Sequence, residues 1–338
     1  MNIAVLFGGI SPERNVSIVG GKAVVEALRS KGHKVIPIDP ALGNDYQKAE
    51  DEIADMMQLP SDEELQGFHT KNYIDTIALP IFNDIDIAFI VLHGKYGEDG
   101  LIQSLLELRG LPYTGSNVKA SALSMDKATS KNLFAASGIL TPPWLVIREN
   151  DADDPEIFKD IRKELGNEIV FKPNDQGSSV GISIVMNGNL DEIEKAYQLA
   201  HKYSDTVLVE KYIPGREITV GLIGGEALPV IEIVPEEKFY DYEHKYTKGR
   251  TQYICPADLS EDIEEFVQSI AVVANNIIGA RGFARADFRF TPENEPYLLE
   301  LNTIPGFTTT SLVPMAAKEV GIEFPDLCEN IINLALNK

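Results

Sequence analysis

Residues 171–181 read FKPNDQGSSVG. Lys172 closes an apolar run of Ile169, Val170 and Phe171, and Gly177, Ser178 and Ser179 follow it, with Gly181 ending the stretch. A lysine beside small residues is the material of a phosphate site. A P-loop, however, places its lysine after the glycines. Here the cation comes first, at the end of a strand, and a flexible loop follows. A second group lies in ARADFRFTPENEPYLLELN, residues 284–302. It reads as a hairpin connected by TPENEP. Side chains alternate along a strand, so Arg285, Asp287 and Arg289 share one face, and Leu298, Glu300 and Asn302 share another. Pairing Phe288 with Leu299 places Asp287 opposite Glu300. Directly opposed carboxylates destabilise a sheet unless a cation lies between them. Carboxylate and amide oxygens suit a hard ion such as Mg²⁺, which takes few protein carboxylates and completes its shell with nucleotide phosphates. The plain alternative is a solvated polar face neutralised by Arg289.

Composition narrows the function classes. The chain has 338 residues and a formal net charge of −22. The length suits two or three domains. The charge argues against nucleic acid as a partner, so an anionic ligand must be held by a few placed cations rather than by the overall field. No apolar run approaches the roughly 18 residues of a membrane span. The start, MNIAVLFGG, reads as a first strand rather than a signal peptide. Cys255 and Cys328 are the two cysteines, too few for a disulfide framework or a metal cluster, and a reducing cytoplasm is the expected setting.

The elements that must position these residues follow from periodicity. IAVLFGG, KVIPID and DIDIAFIVLHG read as buried strands. NVSIVGGKAVVEALRSKGH and DGLIQSLLELRG read as the helices between them. Strands alternating with helices predict a doubly wound parallel sheet, whose ligands bind beyond the carboxyl ends of the strands. FGGISPE and LHGKYGEDG sit at such ends. Residues 43–70 are acidic and weakly patterned, and read as a surface helical insertion without chemistry. Asp126 and Gly138 read as the caps of one helix. Strands are expected on either side of Pro214-Gly215, and a long helix from about Glu261 to Ile278.

Lys172 before Gly177-Ser178-Ser179, then Glu210-Lys211-Tyr212-Ile213, then Arg285-x-Asp287 and Glu300-x-Asn302, resembles the ATP-grasp enzymes. In that fold ATP lies between two α+β subdomains, strand lysines reach its phosphates, and a glycine-rich loop covers them. GGISPERNVS, HGKYGEDG, LPYTGS, the segment from Ser121 to Lys127, FYDYEHKY and ELNTIPGFTTTS extend the likeness over nearly the whole chain. Together they resemble the D-alanine–D-alanine ligase family. The resemblance implies an α/β chain with α+β subdomains: an N-terminal doubly wound parallel-sheet domain over 1–124, a central ATP-grasp subdomain over 125–211, and a C-terminal one over 212–338. It implies an ATP-dependent, cytoplasmic, homodimeric enzyme of peptidoglycan synthesis that joins two D-alanines, using two Mg²⁺ or Mn²⁺ ions, without nucleic-acid or membrane partners.

By matched position, the resemblance implies that Lys127, Lys172 and Lys245 contact phosphates, with Ser179 in the covering loop. Glu210, Lys211, Tyr212 and Ile213 form the adenine hinge, and Glu217 meets the ribose. Asp287, Glu300 and Asn302 are the metal ligands. Glu13 holds the first ammonium, and Ser178 and Tyr246 tie two loops to it. Arg285 and the Gly306 backbone face the oxyanion. Ser311 and Leu312 meet the second carboxylate, and His93 lies near the first substrate. The nearest rival is a sister ligase making D-alanyl-D-lactate, or one accepting D-serine. Plainer readings stand beside some of these. Gly8-Gly9 suits a tight turn, and Glu13 beside Arg14 suits a surface ion pair.

Overall fold

The computed structural model describes residues 1–54, 67–154, 156–178, 180–235 and 251–337. Strand β1 (Asn2–Leu6) is buried at every position after its first. It is the middle strand of a three-stranded parallel sheet, flanked by β2 (Lys34–Ile38) and β3 (Ile87–Ile90). Parallel strands need crossover helices, which cover the faces and demand apolar residues on both sides. Helix α1 (Arg14–Ser30) supplies the first crossover. It carries Gly20 and Gly21 on its packed face: a Cβ on Gly21 would meet the Phe7 ring at 2.6 Å, and one on Gly20 would meet the Phe307 carbonyl oxygen at 3.2 Å. The small residues let the helix approach β1 and the Phe307 segment, far away in sequence.

Of residues 43–70, expected to form a surface helical insertion, 55–66 lie outside the described residues; the rest, with the helix that follows it, is packed more deeply than its composition suggests. Helices α2 (Lys48–Ala54) and α3 (Lys71–Ile77) bury Ala49, Ile53, Tyr73, Thr76 and Ile77. Glu52 of α2 pairs with Arg14 at 2.6 Å. The described part closes the first core instead of decorating it: Ala49, Ile53, Tyr73 and Ile77 all join that core. Helix α4 (Leu101–Arg109) follows β3.

Helices α5 (Val118–Met125) and α6 (Lys127–Ala136) are joined by Asp126, whose side chain accepts from the Thr129 N–H at 2.9 Å. That satisfies one of the orphan donors of a helix start. Gly138 and Ile139 donate back to the Ala135 and Phe134 carbonyls and end α6 in a Schellman turn. A four-stranded antiparallel sheet follows, in the order β4 (Trp144–Arg148), β7 (Thr206–Lys211), β5 (Ile169–Pro173), β6 (Ser183–Val185). Helices α7 (Ile157–Leu165) and α8 (Leu190–His201) back it and complete a core of their own.

Five antiparallel strands make the third sheet, in the order β10 (Thr251–Ile254), β9 (Glu226–Pro235), β8 (Arg216–Ile223), β11 (Phe283–Phe290), β12 (Pro296–Asn302). Helix α9 (Glu261–Ile278) packs its buried stripe of Val267, Ala271, Ala274 and Ile278 into that sheet's core, which also takes Phe134 of α6. Helices α10 (Leu312–Glu319) and α11 (Phe324–Leu336) return to the first domain's core. Phe307 joins the parts: its ring lies 5.8 Å from Phe89 of β3, 5.0 Å from Phe283 of β11 and 5.3 Å from Phe324 of α11.

Candidate active site

The four- and five-stranded sheets face each other across a cleft of about 440 Å³, joined through the hinge between β7 and β8. Lys127, Lys172, Glu210, Ile213, Asp287 and Glu300 all line it. Lys172 reaches in from β5 and pairs with Glu210 Oε2 at 2.6 Å. The other oxygen, Oε1, pairs with Lys131 at 2.7 Å. Burial works against the Glu210 charge, but the two lysines outweigh it and hold the pKa below the usual carboxylate range. Lys131 carried no signal in the sequence beyond its place four residues after Lys127, and only the fold brings it to Glu210.

Lys127 opens α6, where its amine donates to the Gln176 carbonyl at 2.7 Å and pairs with Glu300 at 3.1 Å. Burial disfavours its charge, yet Glu300, with Glu98 and Glu13 further off, raises the pKa above the ordinary lysine value. The loop after Lys172 is clipped to this helix start. Asn174 donates to Asp126 at 2.9 Å and accepts from the Ala128 N–H at 2.8 Å.

The hinge is fixed by its own backbone. Lys211 N–H donates to the Pro143 carbonyl and Tyr212 N–H to that of Glu168, each at 2.9 Å. Those donors are spent, whereas among the described residues the Ile213 N–H has no acceptor. It is a hinge donor available to the edge of a ligand. Arg289 does not neutralise the carboxylate face, contrary to the plain expectation. Its guanidinium donates to the carbonyls of Ile213 at 3.1 Å and Gly215 at 2.5 Å, lies over the Tyr212 ring, and comes within 3.8 Å of Glu217. It braces the hinge.

On the β11–β12 hairpin, Asp287 lies opposite Glu300 and Arg285 opposite Asn302. The expected pairing of Phe288 with Leu299 is corrected: Phe288 faces Leu298, and the register slips by one residue between Asp287 and Phe288. Leu299 is the extra residue of a β-bulge. Bulges re-aim side chains, and here Leu299 and Glu300 both line the cleft while Leu298 is buried in the core. Arg285 grips Asp287 with Nε at 2.8 Å and Nη2 at 2.7 Å, and Thr219 adds a hydrogen bond at 2.6 Å. Asn302 Oδ1 accepts from the Ile304 N–H at 2.9 Å. Among the described residues no cluster of three or more His, Cys, Asp or Glu suits a metal. An ion here must take two carboxylates, the Asn302 amide and oxygens from outside the protein. That donor set fits a hard divalent cation, and the cations already on both carboxylates mark how much positive charge the face requires.

Glu13 stands before α1, 7 % exposed. It is no surface partner of Arg14, which is buried and pairs instead with Asp39 and Glu52 while donating to the Gly9 carbonyl at 2.7 Å. Glu13 accepts a hydrogen bond from the Ser178 hydroxyl. Two glycines make room for it: a Cβ on either Gly94 or Gly177 would lie 2.6 Å from Glu13 Oε2. Ser178 adopts φ +50°, a left-handed conformation uncommon away from glycine, to make the contact.

His93 is buried nearby, donating from Nδ1 to the Ile304 carbonyl at 2.9 Å with Glu98 at 3.7 Å. Burial opposes the charged ring, but Glu98, Glu13 and that carbonyl raise its pKa above the ordinary value. Among the described residues Nε2 has no hydrogen-bond partner. Ser311 precedes α10, its hydroxyl accepting from the Thr308 N–H at 2.9 Å, and Leu312 is the first residue of the helix. Gly306 lies beside it: a Cβ there would meet the Ser311 hydroxyl oxygen at 3.5 Å, an ordinary contact. Ser179, Lys245 and Tyr246 lie outside the described residues.

Comparison with known proteins adds the family. The family described as D-ala D-ala ligase N-terminus matches residues 2–116, and that described as D-ala D-ala ligase C-terminus matches residues 133–333. A D-alanine–D-alanine ligase of Geobacter sulfurreducens is 42% identical over 331 residues, covering 98% of this chain and 92% of its own. One of Gloeobacter violaceus is 41% identical over the whole of both chains. Among solved structures, a D-alanine–D-alanine ligase from Bacillus anthracis aligns with a TM-score of 0.78 at 33% identity, over 100% of this chain and 98% of that one. A D-alanine–D-alanine ligase from Bacillus anthracis complexed with ATP aligns with a TM-score of 0.75 at 30% identity, over 100% of this chain and 97% of that one.

Proposed function

The chain belongs to the D-alanine–D-alanine ligase family, and on that premise we propose that it joins two D-alanines to D-alanyl-D-alanine with ATP, releasing ADP and phosphate, for peptidoglycan synthesis. The fold is ATP-grasp, with the nucleotide in the cleft between the four- and five-stranded sheets. The sister reaction with D-lactate or D-serine is not favoured, since the matched relatives carry the dipeptide ligase name. What carries the proposal is one arrangement: Lys127, Lys172, Asp287 and Glu300 line a single cleft, with Ile213 at the hinge.

The Ile213 N–H and the neighbouring carbonyls read the adenine edge, and Glu217 meets the ribose. Lys127, Lys172 and Lys245 neutralise phosphate charge. Asp287, Glu300 and Asn302 hold two Mg²⁺ or Mn²⁺ ions, which when bound supply positive charge to the transferring phosphoryl group. The first D-alanine binds by its ammonium to Glu13 and beside His93. Its carboxylate attacks the γ-phosphorus, the bond to the bridging oxygen breaks and ADP leaves, and an acylphosphate forms. The second D-alanine, its carboxylate at the Ser311–Leu312 helix start, attacks the acyl carbon through its neutral amine. Arg285 and the Gly306 N–H face the oxyanion that develops, and collapse expels phosphate. An acylphosphate in water hydrolyses, so the Ser178–Glu13 contact excludes solvent, and Ser179 and Tyr246 serve the same end.

The same proposal takes 1–124, 125–211 and 212–338 as its working units, in a homodimer in the cytoplasm. Among the described residues no helix is long and apolar enough to cross a membrane. The test is phosphate release with ATP and, in turn, D-alanine, D-lactate and D-serine. D-Alanine-dependent release with formation of the dipeptide is expected. Release that needs a hydroxy acid, or none with any acceptor, would overturn the assignment.

A further inference from the structure

We propose that Lys131 is a positioning residue of the nucleotide site: by holding Glu210 from behind, it leaves Lys172 able to turn from that carboxylate to the phosphates of ATP. This rests on the ligase function proposed above and deepens it. Lys131 is fully buried and does not line the cleft, whereas Lys172 and Glu210 do. Its amine is fixed on three sides. It pairs with Glu210 Oε1 at 2.7 Å, contacts the Thr141 hydroxyl, and lies 5.0 Å from the centre of the Trp144 ring. Lys172 holds the opposite oxygen at 2.6 Å.

One buried carboxylate therefore has two lysines. The consequence concerns what remains when one of them moves. A buried carboxylate stripped of its only cation is strongly disfavoured, more so than a pair replaced whole. With a single lysine, Lys172 would be held on Glu210, and every contact it made to a phosphate would be offset by orphaning that carboxylate. With Lys131 in place, Glu210 keeps a cation and Lys172 is released. Burial lowers the Lys131 amine to about 8, with Glu210 and Glu300 holding it up and Lys172 pressing it further down. A departure of Lys172 toward phosphate removes that repulsion and strengthens the Lys131–Glu210 pair. The anion and the second lysine thus favour the same rearrangement.

The experiment compares binding of adenosine and of ADP to the full-length protein, since only the second engages the phosphate lysines. Lys131→Met is expected to lose about tenfold of the ADP-over-adenosine preference, with adenosine binding unchanged. Lys131→Arg, which retains the charge, is expected to keep most of it. In a Glu210→Gln background there is no carboxylate to hold, so adding Lys131→Met should leave the preference where Glu210→Gln put it. Equal weakening of adenosine and ADP by Lys131→Met would overturn the proposal, as would the same further loss in the Glu210→Gln background. Should Lys131→Met alone fail to fold, the comparison of Glu210→Gln with the double variant, whose pair is neutral, decides between the same two outcomes. D-Alanine-dependent phosphate release by the unaltered protein tests the ligase function separately, so the two can fail independently.

Discussion

The Ser178 hydroxyl donates to the Glu13 carboxylate across 165 positions of sequence, joining the loop after β5 to the start of α1. Gly177 is what permits the approach, since a methyl there would lie 2.6 Å from Glu13 Oε2. Its requirement is therefore steric contact with one side chain. Gly177→Ala should push the loop off Glu13 while leaving the cores untouched. Phosphate release with D-alanine is expected to fall about 100-fold, the scale of a misplacement near 1 Å, with an unchanged melting temperature. Wild-type turnover would show that the contact plays no part in closing the site.

Glu300→Gln tests the carboxylate face. The substitution keeps size and removes one charge from the pair opposite Asp287. Turnover should drop at least about tenfold, and the Mg²⁺ concentration giving half-maximal rate should rise. Binding of Mn²⁺ in the presence of ADP, followed by electron paramagnetic resonance, should weaken in parallel. An unaltered metal requirement would place the ions elsewhere.

Arg289 braces the hinge through the Ile213 and Gly215 carbonyls and the Tyr212 ring. Hydrogen bonds from a charged group are worth about 1.5–3 kcal/mol each. Arg289→Met should therefore raise KM for ATP about tenfold, with KM for D-alanine and kcat changing little. A comparable rise in both Michaelis constants would mean that the change reaches the substrate side and that the brace is not local.

The Arg14 cluster predicts a dependence of stability on pH. One guanidinium faces two carboxylates, the buried Asp39 and the partly exposed Glu52. Burial and the Asp39 charge push Glu52 up to about 8, against the pull of Arg14. A raised carboxyl pKa means that the folded state binds the proton more tightly than the unfolded chain. Its contribution is complete below the unfolded value, near 4.3, and is lost as pH rises through about 8. Glu52→Gln keeps the hydrogen bonding of the protonated form without the titration. The variant should melt above the wild type at pH 8 and level with it at pH 4, checked by thermal unfolding across that range. A constant difference at every pH would assign the effect to packing.

Much of this protein was legible in the chain because it is local. Alternating apolar runs specified the parallel sheet, and Asp126 and Gly138 bracketed α6. Asp287 stands opposite Glu300 as expected, although the Phe288–Leu299 register behind that expectation is not the one found. Lys172 before the glycines reads as a strand lysine, and its side chain lines the cleft from β5. Tertiary structure alone decided the pairing of charges. Arg289 was a neighbour of the carboxylates by sequence and braces the hinge by structure. Arg14, adjacent to Glu13 in the chain, turns away into a buried cluster. Lys131 meets Glu210 from another element. The bulge at Leu299, which aims two consecutive side chains into the cleft, breaks the alternation from which the pairing was inferred. Propensity and periodicity act over a few residues, so a single chain displays them. Which cation reaches which carboxylate depends on distances of a few ångströms between elements far apart in sequence, and on the cost of burying any charge left unpaired. Those are set only when the three sheets pack.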